Sequence, residues 1–246
     1  MNTGVPTSKK RKNSPELSII LPIYNEEGSI VSLLREYQKS WKKYNFELVC
    51  VNNGSTDLSG KVLHEFSNKK EYQFIKIVTV KKNIGYGHGI MSGINKASGE
   101  VISWTHADMQ THPADVFRAF DIYSKFKSPN IIVKGTRSGR PLVDSLISFL
   151  MGIIASVVLN KKMHEINAQP KLFHKSFRQY LLHPPDDFML DMYLLYTAKQ
   201  LNFQIKEIPV IFHKRKQGRS KWAFSFSSRL KMIKRTFQYM FEILKS

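Results

Sequence analysis

NIGYGHGIMSGINKASGEVISWTHADMQ, residues 83–110, is the stretch that decides the fold. Its apolar segment 101–105 has the character of a buried strand and leads directly into His106-Ala107-Asp108-Met109-Gln110. In an α/β sheet, ligands bind beyond the carboxyl ends of the strands. The sequence therefore predicts a binding or catalytic site at this polar segment.

Strand and helix patterns alternate around this stretch, which is typical of β-α-β units. Strands are predicted at 17–23, 46–52, 74–80, 101–105 and 131–135. Helices are predicted at 30–44 with Ser29 as N-cap, from Thr56 or Asp57, and after Pro113 with His112 as cap. The pattern predicts an α/β fold with a Rossmann-like, mostly parallel sheet and helices on both faces.

The glycine-rich segment Gly85-Tyr86-Gly87-His88-Gly89 has some features of a phosphate-binding loop. It follows a strand but lacks the full G-x-G-x-x-G spacing, so a dinucleotide site is not expected. We interpret it as a turn that contains His88 and supports the neighbouring site.

Composition limits the classes of function. With 246 residues, 42% of them hydrophobic, the chain can bury one sizeable α/β core. The single cysteine, Cys50, lies in an apolar strand, so we expect a small core residue and a reducing, cytoplasmic setting. The formal net charge of +19 favours phosphate-rich partners. Nucleic acid is not expected among them, because no nucleic-acid-binding module is visible and the aromatic residues do not alternate with basic ones.

Four motifs occur in the order found in a known enzyme family. LSIILPIYNEEGS (17–29), FELVCVNNGSTD (46–57) and the stretch 83–110 resemble the nucleotide-sugar half of the family 2 inverting glycosyltransferases. RKQGRSKW (215–222) resembles the R-x-x-G-x-S-K segment of the branch that loads sugars onto polyprenyl phosphates, typified by dolichyl-phosphate mannose synthase. The resemblance implies a single glycosyltransferase A domain at 16–222. Residues 16–137 would be its nucleotide-sugar half and residues 138–222 its acceptor half.

The resemblance also implies which residues hold the nucleotide sugar. Pro22, Tyr24 and Glu26 match positions that line the nucleotide pocket after the first strand. Val51 and Asn53 match positions after the second strand, where the family usually has Asp-Asp-Gly-Ser. Asn52 and Asn53 replace both carboxylates here. An amide has an N–H donor that aspartate lacks, so the nucleotide base that this chain prefers can differ from that of its relatives.

A divalent cation, Mg²⁺ or Mn²⁺, is expected at the position of the family's Asp-x-Asp motif. Asp108 and Gln110 provide the hard oxygen ligands that such a cation prefers. His106 occupies the first acidic position. We assign His106 and Ala107 to substrate binding, with a ligand role for the imidazole as the alternative.

On the acceptor side, Arg137, Arg215 and Lys221 match basic positions of the branch. Ser220 offers a hydroxyl within the R-x-x-G-x-S-K segment, and Gln169 lies where relatives carry an acceptor-contacting stretch. Guanidinium and ammonium groups suit a lipid phosphate and a departing diphosphate. We therefore assign catalytic roles to Arg215, Lys221 and Asp108, and substrate contacts to Ser220, Gln169 and Arg137.

Three further segments bear on membrane contact. Residues 1–15 are expected to be a disordered basic tail, without the apolar region of a secretory signal. The apolar run 142–159 is short for a membrane span, so we predict a helix that lies in the membrane interface or covers the acceptor groove, with a core helix as the alternative. Residues 223–246 have the pattern of a basic amphipathic helix. Together these segments predict peripheral attachment to an anionic membrane surface.

The expected function is inverting transfer of a hexose from a nucleoside diphosphate sugar to a polyprenyl phosphate at the cytosolic face of a membrane. A phosphate monoester has a second pKa of about 6 and is its own nucleophile at neutral pH. One alternative is transfer to a hydroxyl of a surface glycan, with Asp187 or Asp191 on a shared helical face as the base. Another is a catalytically silent homologue, because the Asp-Asp and Asp-x-Asp signatures are both altered.

Overall fold

The structure is a computed structural model that describes residues 14–213 and 226–245. The strands are β1 (Leu17–Ile23), β2 (Phe46–Asn53), β3 (Ile75–Val80), β4 (Val101–Trp104), β5 (Ile131–Ser138), β6 (Lys171–His174) and β7 (Gln204–Ile211). The α-helices are α1 (Glu27–Ser40), α2 (Ser59–Ser67), α3 (Tyr86–Ile94), α4 (Pro113–Phe126), α5 (Leu142–Val158), α6 (Leu190–Gln200) and α7 (Phe226–Ile243). Two short 3-10 helices occupy Lys70–Tyr72 and Lys175–Tyr180.

All seven strands form one sheet in the order β3-β2-β1-β4-β6-β5-β7. Strand β6 runs antiparallel to both of its neighbours, and the remaining pairs are parallel. The predicted α/β fold with a mostly parallel sheet is therefore confirmed. Because β1, β2, β4, β5 and β7 point in one direction, the residues that follow them meet at one edge of the sheet.

Helices cover both faces of the sheet, as predicted. On one face, α1, α2 and α4 pack on the sheet through residues such as Leu33, Leu63 and Phe117. On the other face, α3, α6 and α7 pack through residues such as Ile90, Leu194 and Met240. Burial on both faces explains why the central strands are continuous apolar runs rather than alternating ones. Cys50 is fully buried in β2, as expected.

Some element boundaries differ from the sequence prediction. Helix α1 begins at Glu27 rather than at residue 30, and its N-cap is Glu26, so the assignment of Ser29 as N-cap is wrong. Ser29 lies in the first turn, where its Oγ donates to the Glu26 carboxylate at 3.0 Å. His112 does cap α4, accepting from the Ala114 backbone N–H at 3.1 Å.

The glycine-rich segment forms helix α3 and not the predicted turn. Its glycines permit contacts that no side chain would allow. A Cβ at Gly87 would stand 2.1 Å from the Pro185 carbonyl, and one at Gly93 would stand 2.4 Å from an Ile20 methyl. Glycine disfavours a helix by about 1 kcal/mol relative to alanine, so local propensity predicted the wrong state.

The two helices predicted to contact a membrane are buried to different extents. Helix α5 buries only Gly152 and Ala155, so the core-helix alternative is wrong. Its exposed apolar side chains are Leu142, Val143, Leu146, Phe149, Leu150, Ile153 and Val157. Helix α7 instead packs on the protein through Tyr239, Met240 and Ile243. None of the helices in the described ranges is both long and apolar enough to cross a bilayer.

Candidate active site

The loops that follow β1 and β2 are joined by hydrogen bonds. Asn25, in a left-handed conformation with φ of 56°, accepts from the Thr56 backbone N–H at 2.8 Å. The Glu26 backbone N–H donates to the Ser59 Oγ at 2.9 Å, and the Glu27 carboxylate accepts from the Leu58 N–H at 2.9 Å. These bonds fix the backbone that carries the predicted nucleotide residues. Of these residues, Pro22, Tyr24 and Glu26 are half-buried at the carboxyl edge.

The predicted base-contacting residues of β2 occupy two different environments. Val51 is fully buried in the core beneath α3, so only its backbone could face a ligand. Asn53 is 3% exposed; its Nδ2 donates to the Gly85 carbonyl at 2.9 Å. Its Oδ1 has no hydrogen-bond partner within the described residues. A buried acceptor without a partner costs about 1–3 kcal/mol, which is a reason to expect a donor from a bound ligand there.

The polar segment after β4 is a tight, fixed turn. Asp108 Oδ1 accepts from the Gln110 backbone N–H at 3.0 Å, with Met109 at a φ of 60°. The Gln110 carbonyl accepts from the His213 backbone N–H at 2.8 Å, and Gln110 Nε2 donates to the His213 carbonyl at 3.3 Å. The Ala107 carbonyl accepts from Ser29 Oγ at 3.3 Å. The end of β7 therefore lies against the predicted metal-binding turn.

His106, just beyond the end of β4, lies among charged groups. Burial lowers the pKa of the imidazole, and the cations Arg137 and Lys171 act in the same direction, against the opposing effect of Asp108 and Asp191. A neutral imidazole has one nitrogen lone pair available and one N–H to donate. It can therefore hydrogen-bond a phosphate or ligate a metal ion, and both roles considered for His106 are chemically available.

Arg137, at the end of β5, is paired with a carboxylate. Its Nε donates to Glu165 Oε2 at 2.6 Å, and Arg140 lies 3.6 Å from the other oxygen of Glu165. Burial alone would raise the pKa of Glu165, but the hydrogen bond from Arg137 lowers it. This part of the site therefore holds two guanidinium groups together with the carboxylates of Glu165 and Asp144.

A buried ion pair lies beneath the site. Lys171 of β6 and Asp191 of α6 are 0% and 1% exposed, with Nζ and Oδ1 at 2.9 Å. Burial lowers the pKa of Lys171 to about 8, although Asp191 acts in the opposite direction. Trp104 Nε1 donates to Asp191 at 3.3 Å. Gln169 Nε2 donates to Asp191 at 2.9 Å and to the Tyr86 hydroxyl at 3.2 Å.

This network changes the interpretation of three predicted residues. Gln169 is 1% exposed, so its side chain is not open to a ligand in this structure and contacts the Tyr86 hydroxyl instead. Asp187 and Asp191 do not share a helical face, because α6 begins only at Leu190. Asp191 is paired with Lys171, and Asp187 Oδ2 accepts from Arg235 of α7 at 2.7 Å.

The remaining predictions concern residues outside the described ranges. Arg215, Ser220 and Lys221 belong to this group, and so do residues 1–13 of the predicted basic tail. Sequence reasoning missed Tyr86, whose only signal was an aromatic residue within a run of glycines, and it missed His213. Within the described part of the chain, no group of three or more His, Cys, Asp or Glu side chains is arranged to hold a metal.

Comparison with known families adds to this geometry. The family model described as Glycosyl transferase family 2 matches residues 18–176, which is more than half of the 246-residue chain. The chain belongs to glycosyltransferase family 2.

Two curated relatives illustrate its place within glycosyltransferase family 2. An undecaprenyl-phosphate 4-deoxy-4-formamido-L-arabinose transferase of Proteus mirabilis is 36% identical over 105 residues, which are 42% of this chain and 32% of that protein. A dolichyl-phosphate beta-glucosyltransferase of Dictyostelium discoideum is 29% identical over 216 residues, which are 79% of this chain and 65% of that protein. This chain thus spans less than two thirds of the length of either relative.

Solved structures of other glycosyltransferases resemble the fold. Glucosyl-3-phosphoglycerate synthase of Mycobacterium tuberculosis, solved with Mn²⁺, UDP and glucosyl-3-phosphoglycerate, has a TM-score of 0.69 and 16% identity over 92% of this chain and 80% of that one. A mannosyltransferase of Pyrobaculum calidifontis, solved with GDP-Man and Mn²⁺, has a TM-score of 0.67 and 17% identity. The match covers 93% of this chain and 65% of that one. The predicted glycosyltransferase A fold is therefore confirmed.

The Lys171–Asp191 pair predicts a large stability effect. Asp191→Asn leaves a buried ammonium without its counter-charge, and we expect the free energy of unfolding to fall by about 3–5 kcal/mol. Glu100→Gln, which breaks an exposed pair with Lys175, is the control and should cost under about 1 kcal/mol. Urea unfolding of both variants checks this. Equal, small effects would contradict a structural role for Asp191.

Proposed function

We propose that this chain catalyses inverting transfer of a hexose from a nucleoside diphosphate sugar to a polyprenyl phosphate at the cytosolic face of a membrane. The observation that carries the proposal is the pairing of Gln110 with His213, at 2.8 Å between backbone atoms. Arg215 follows His213 by two positions in the sequence. The predicted phosphate-handling segment 215–221 follows in the sequence and lies outside the described residues. The polyprenyl-phosphate acceptors in the names of the curated relatives support the same acceptor class.

In this proposal the donor lies across the carboxyl ends of β1, β2 and β4. Tyr24 and Glu26 contact the nucleoside, and Asn53 offers the buried Oδ1 that has no partner in the described part of the chain. A donor N–H of the base would satisfy this oxygen, which favours a base with an N–H edge at that position. The His106–Gln110 turn then lies beside the diphosphate.

A divalent cation fits the residues of this turn. Gln110 donates through Nε2 to His213, which leaves its Oε1 as an oxygen ligand beside the Asp108 carboxylate. Mg²⁺ and Mn²⁺ commonly take one or two protein ligands together with substrate phosphates. The cation, bound by Asp108 and Gln110, would neutralise the departing diphosphate.

The acceptor side favours a phosphate over a hydroxyl. A hydroxyl acceptor needs a general base, and both candidate carboxylates are engaged: Asp191 with buried Lys171, and Asp187 with Arg235. A phosphate acceptor needs cations instead. Arg137 and Arg140 are the candidate cations, beside the carboxylates of Glu165 and Asp144, and the basic residues of segment 215–221 follow in the sequence. In this mechanism Arg137 orients the acceptor phosphate, and no side chain has to remove a proton.

The proposal is tested by incubating the protein with UDP- and GDP-linked hexoses, Mn²⁺ and a short polyprenyl phosphate. We expect a glycosylated lipid phosphate from at least one donor. Metal-dependent donor hydrolysis without lipid product, together with glycosylation of a glycan hydroxyl, would favour the alternative acceptor. Absence of both transfer and hydrolysis would indicate a silent homologue.

Asp108→Asn should lower turnover by about 10²- to 10³-fold, because a charged group at the reacting centre is lost. The melting temperature should stay near that of the wild type, since Asp108 is only half-buried in a loop. Asp121→Asn, at an exposed carboxylate of α4 that accepts from the Tyr44 hydroxyl, is the control. Near-normal turnover of Asp108→Asn would remove the metal assignment.

Replacing Arg215 or Lys221 by alanine should cost about 2–4 kcal/mol of transition-state stabilisation. The loss should appear in kcat/KM for the lipid phosphate, while donor hydrolysis in the absence of lipid changes less. Lys206→Ala, a basic residue in β7, serves as control. An inactive Asp187→Asn together with an active Arg215→Ala would instead favour the hydroxyl acceptor.

Membrane attachment in this proposal uses the exposed apolar side of α5. Leu146 and Phe149 are 56% and 58% exposed, and lysines at 161 and 162 follow the helix in the sequence. Apolar side chains flanked by basic ones bind anionic bilayer surfaces. The protein is thereby proposed to be peripheral on the cytosolic face.

Leu146→Gln combined with Phe149→Gln should weaken binding to anionic vesicles about 10-fold or more. The variant lacks two apolar side chains whose transfer from water into the bilayer would stabilise the bound state. Leu58→Gln, which replaces an equally exposed leucine elsewhere at 60%, is the control. Wild-type binding should also fall at high salt, where charges are screened. Vesicle sedimentation measures both effects, and an unchanged double variant would contradict the role of α5.

A further inference from the structure

Two aromatic rings lie beside the candidate metal turn and have no role in the mechanism described above. Tyr86 is the first residue of α3, and Phe188 precedes α6. Their rings are stacked, with centroids 4.8 Å apart and planes inclined by 15°. Both residues are partly exposed. On its other side, the Tyr86 ring lies 5.8 Å from the His106 ring.

Tyr86 lies at the diphosphate end of the proposed site, because its ring is 5.8 Å from the ring of His106. Burial raises the pKa of the Tyr86 phenol. Its hydroxyl accepts from Gln169 Nε2 at 3.2 Å, which fixes the ring orientation. Asn53, the expected base-contacting residue, instead lies against Gly85 and Gly89. The stacked pair therefore adjoins the expected position of the diphosphate rather than that of the base.

The stacked pair is also rigidly supported. Cβ atoms at Gly85 and Gly87 would stand 2.1 Å from the carbonyl oxygens of Asp186 and Pro185, so α3 contacts the segment before Phe188 directly. The His88 backbone N–H donates to the Asp186 carbonyl at 3.0 Å. On the far side, Arg235 of α7 holds Asp187 at 2.7 Å. A surface fixed in this way binds a ligand with little loss of conformational entropy.

We infer that Tyr86 and Phe188 form an aromatic wall that binds the hexose of the donor. A hexose ring presents a face of C–H groups, and flat aromatic side chains provide the matching apolar surface. In a nucleotide sugar the hexose is joined directly to the diphosphate, and the Tyr86 ring of the wall lies 5.8 Å from the His106 ring. The inference rests on the proposed function, because it assigns the sugar subsite of the same donor site.

The test compares ligands with and without the sugar. Calorimetry in the presence of Mn²⁺ gives Kd values for UDP and GDP and for UDP-glucose and GDP-mannose. In Tyr86→Leu and Phe188→Leu we expect the nucleotide-sugar Kd to rise about 3- to 10-fold, with the nucleoside diphosphate Kd unchanged. Tyr86→Phe keeps the ring, so its nucleotide-sugar Kd should match that of the wild type.

Tyr44→Leu is the matched control, because Tyr44 and Phe117 form a similar stack, with centroids 4.5 Å apart, on the other face of the sheet. It should leave every Kd unchanged. Thermal melting establishes that each variant is folded, and Phe188→Leu carries the test if Tyr86→Leu does not fold.

Equal weakening of both ligand classes, or no change in either, would overturn the wall while leaving the proposed function intact. A rise confined to the KM for the polyprenyl phosphate would assign the rings to the acceptor and also overturn it. A wild-type protein that binds neither nucleotides nor nucleotide sugars would overturn the proposed function itself.

Discussion

The buried ion pair between Lys171 and Asp191 is the interaction on which the site depends. Two charges at 0% and 1% exposure are stable only when they pair with each other and with further hydrogen-bonding groups. Those groups come from other parts of the chain: Trp104 from β4 and Gln169 from the segment before β6. Gln169 extends the network to Tyr86 at the start of α3. The parts of the chain before and after residue 137 are thereby joined beneath the candidate site.

The strands, and the position of the site at their carboxyl ends, could be predicted because both depend on local sequence. Buried parallel strands are continuous apolar runs, and β1 is predicted at the residues where it occurs. Helix α3 could not be predicted, because its glycines serve contacts with Pro185 and Ile20 that are distant in sequence. The same limitation explains Asp191. A carboxylate four residues from Asp187 suggests a shared helical face, and only the fold reveals that α6 begins between them and that Lys171 neutralises Asp191.

Helices α5 and α7 demonstrate what an amphipathic pattern leaves undetermined. Both sequences combine apolar and polar residues at helical spacing, yet α7 buries Tyr239 and Met240 against the protein while α5 leaves Phe149 and Leu150 exposed. The pattern indicates that one face of the helix is apolar and is buried, but it does not indicate whether protein or lipid covers that face. The orientation of α5 is consistent with the proposed contact with a membrane that holds the lipid acceptor. The pairing of Arg235 with Asp187 in turn links α7 to the segment beside Tyr86.

The central claim is that an acceptor phosphate attacks the donor sugar directly at this edge of the sheet. The configuration of the anomeric carbon in the lipid product tests it most directly. From an α-linked nucleotide sugar and a polyprenyl phosphate, NMR of the product should reveal a β-linked glycosyl phosphate diester, because one in-line displacement inverts the centre. An α-linked product, or a sugar attached to a hydroxyl rather than to the lipid phosphate, would contradict the account.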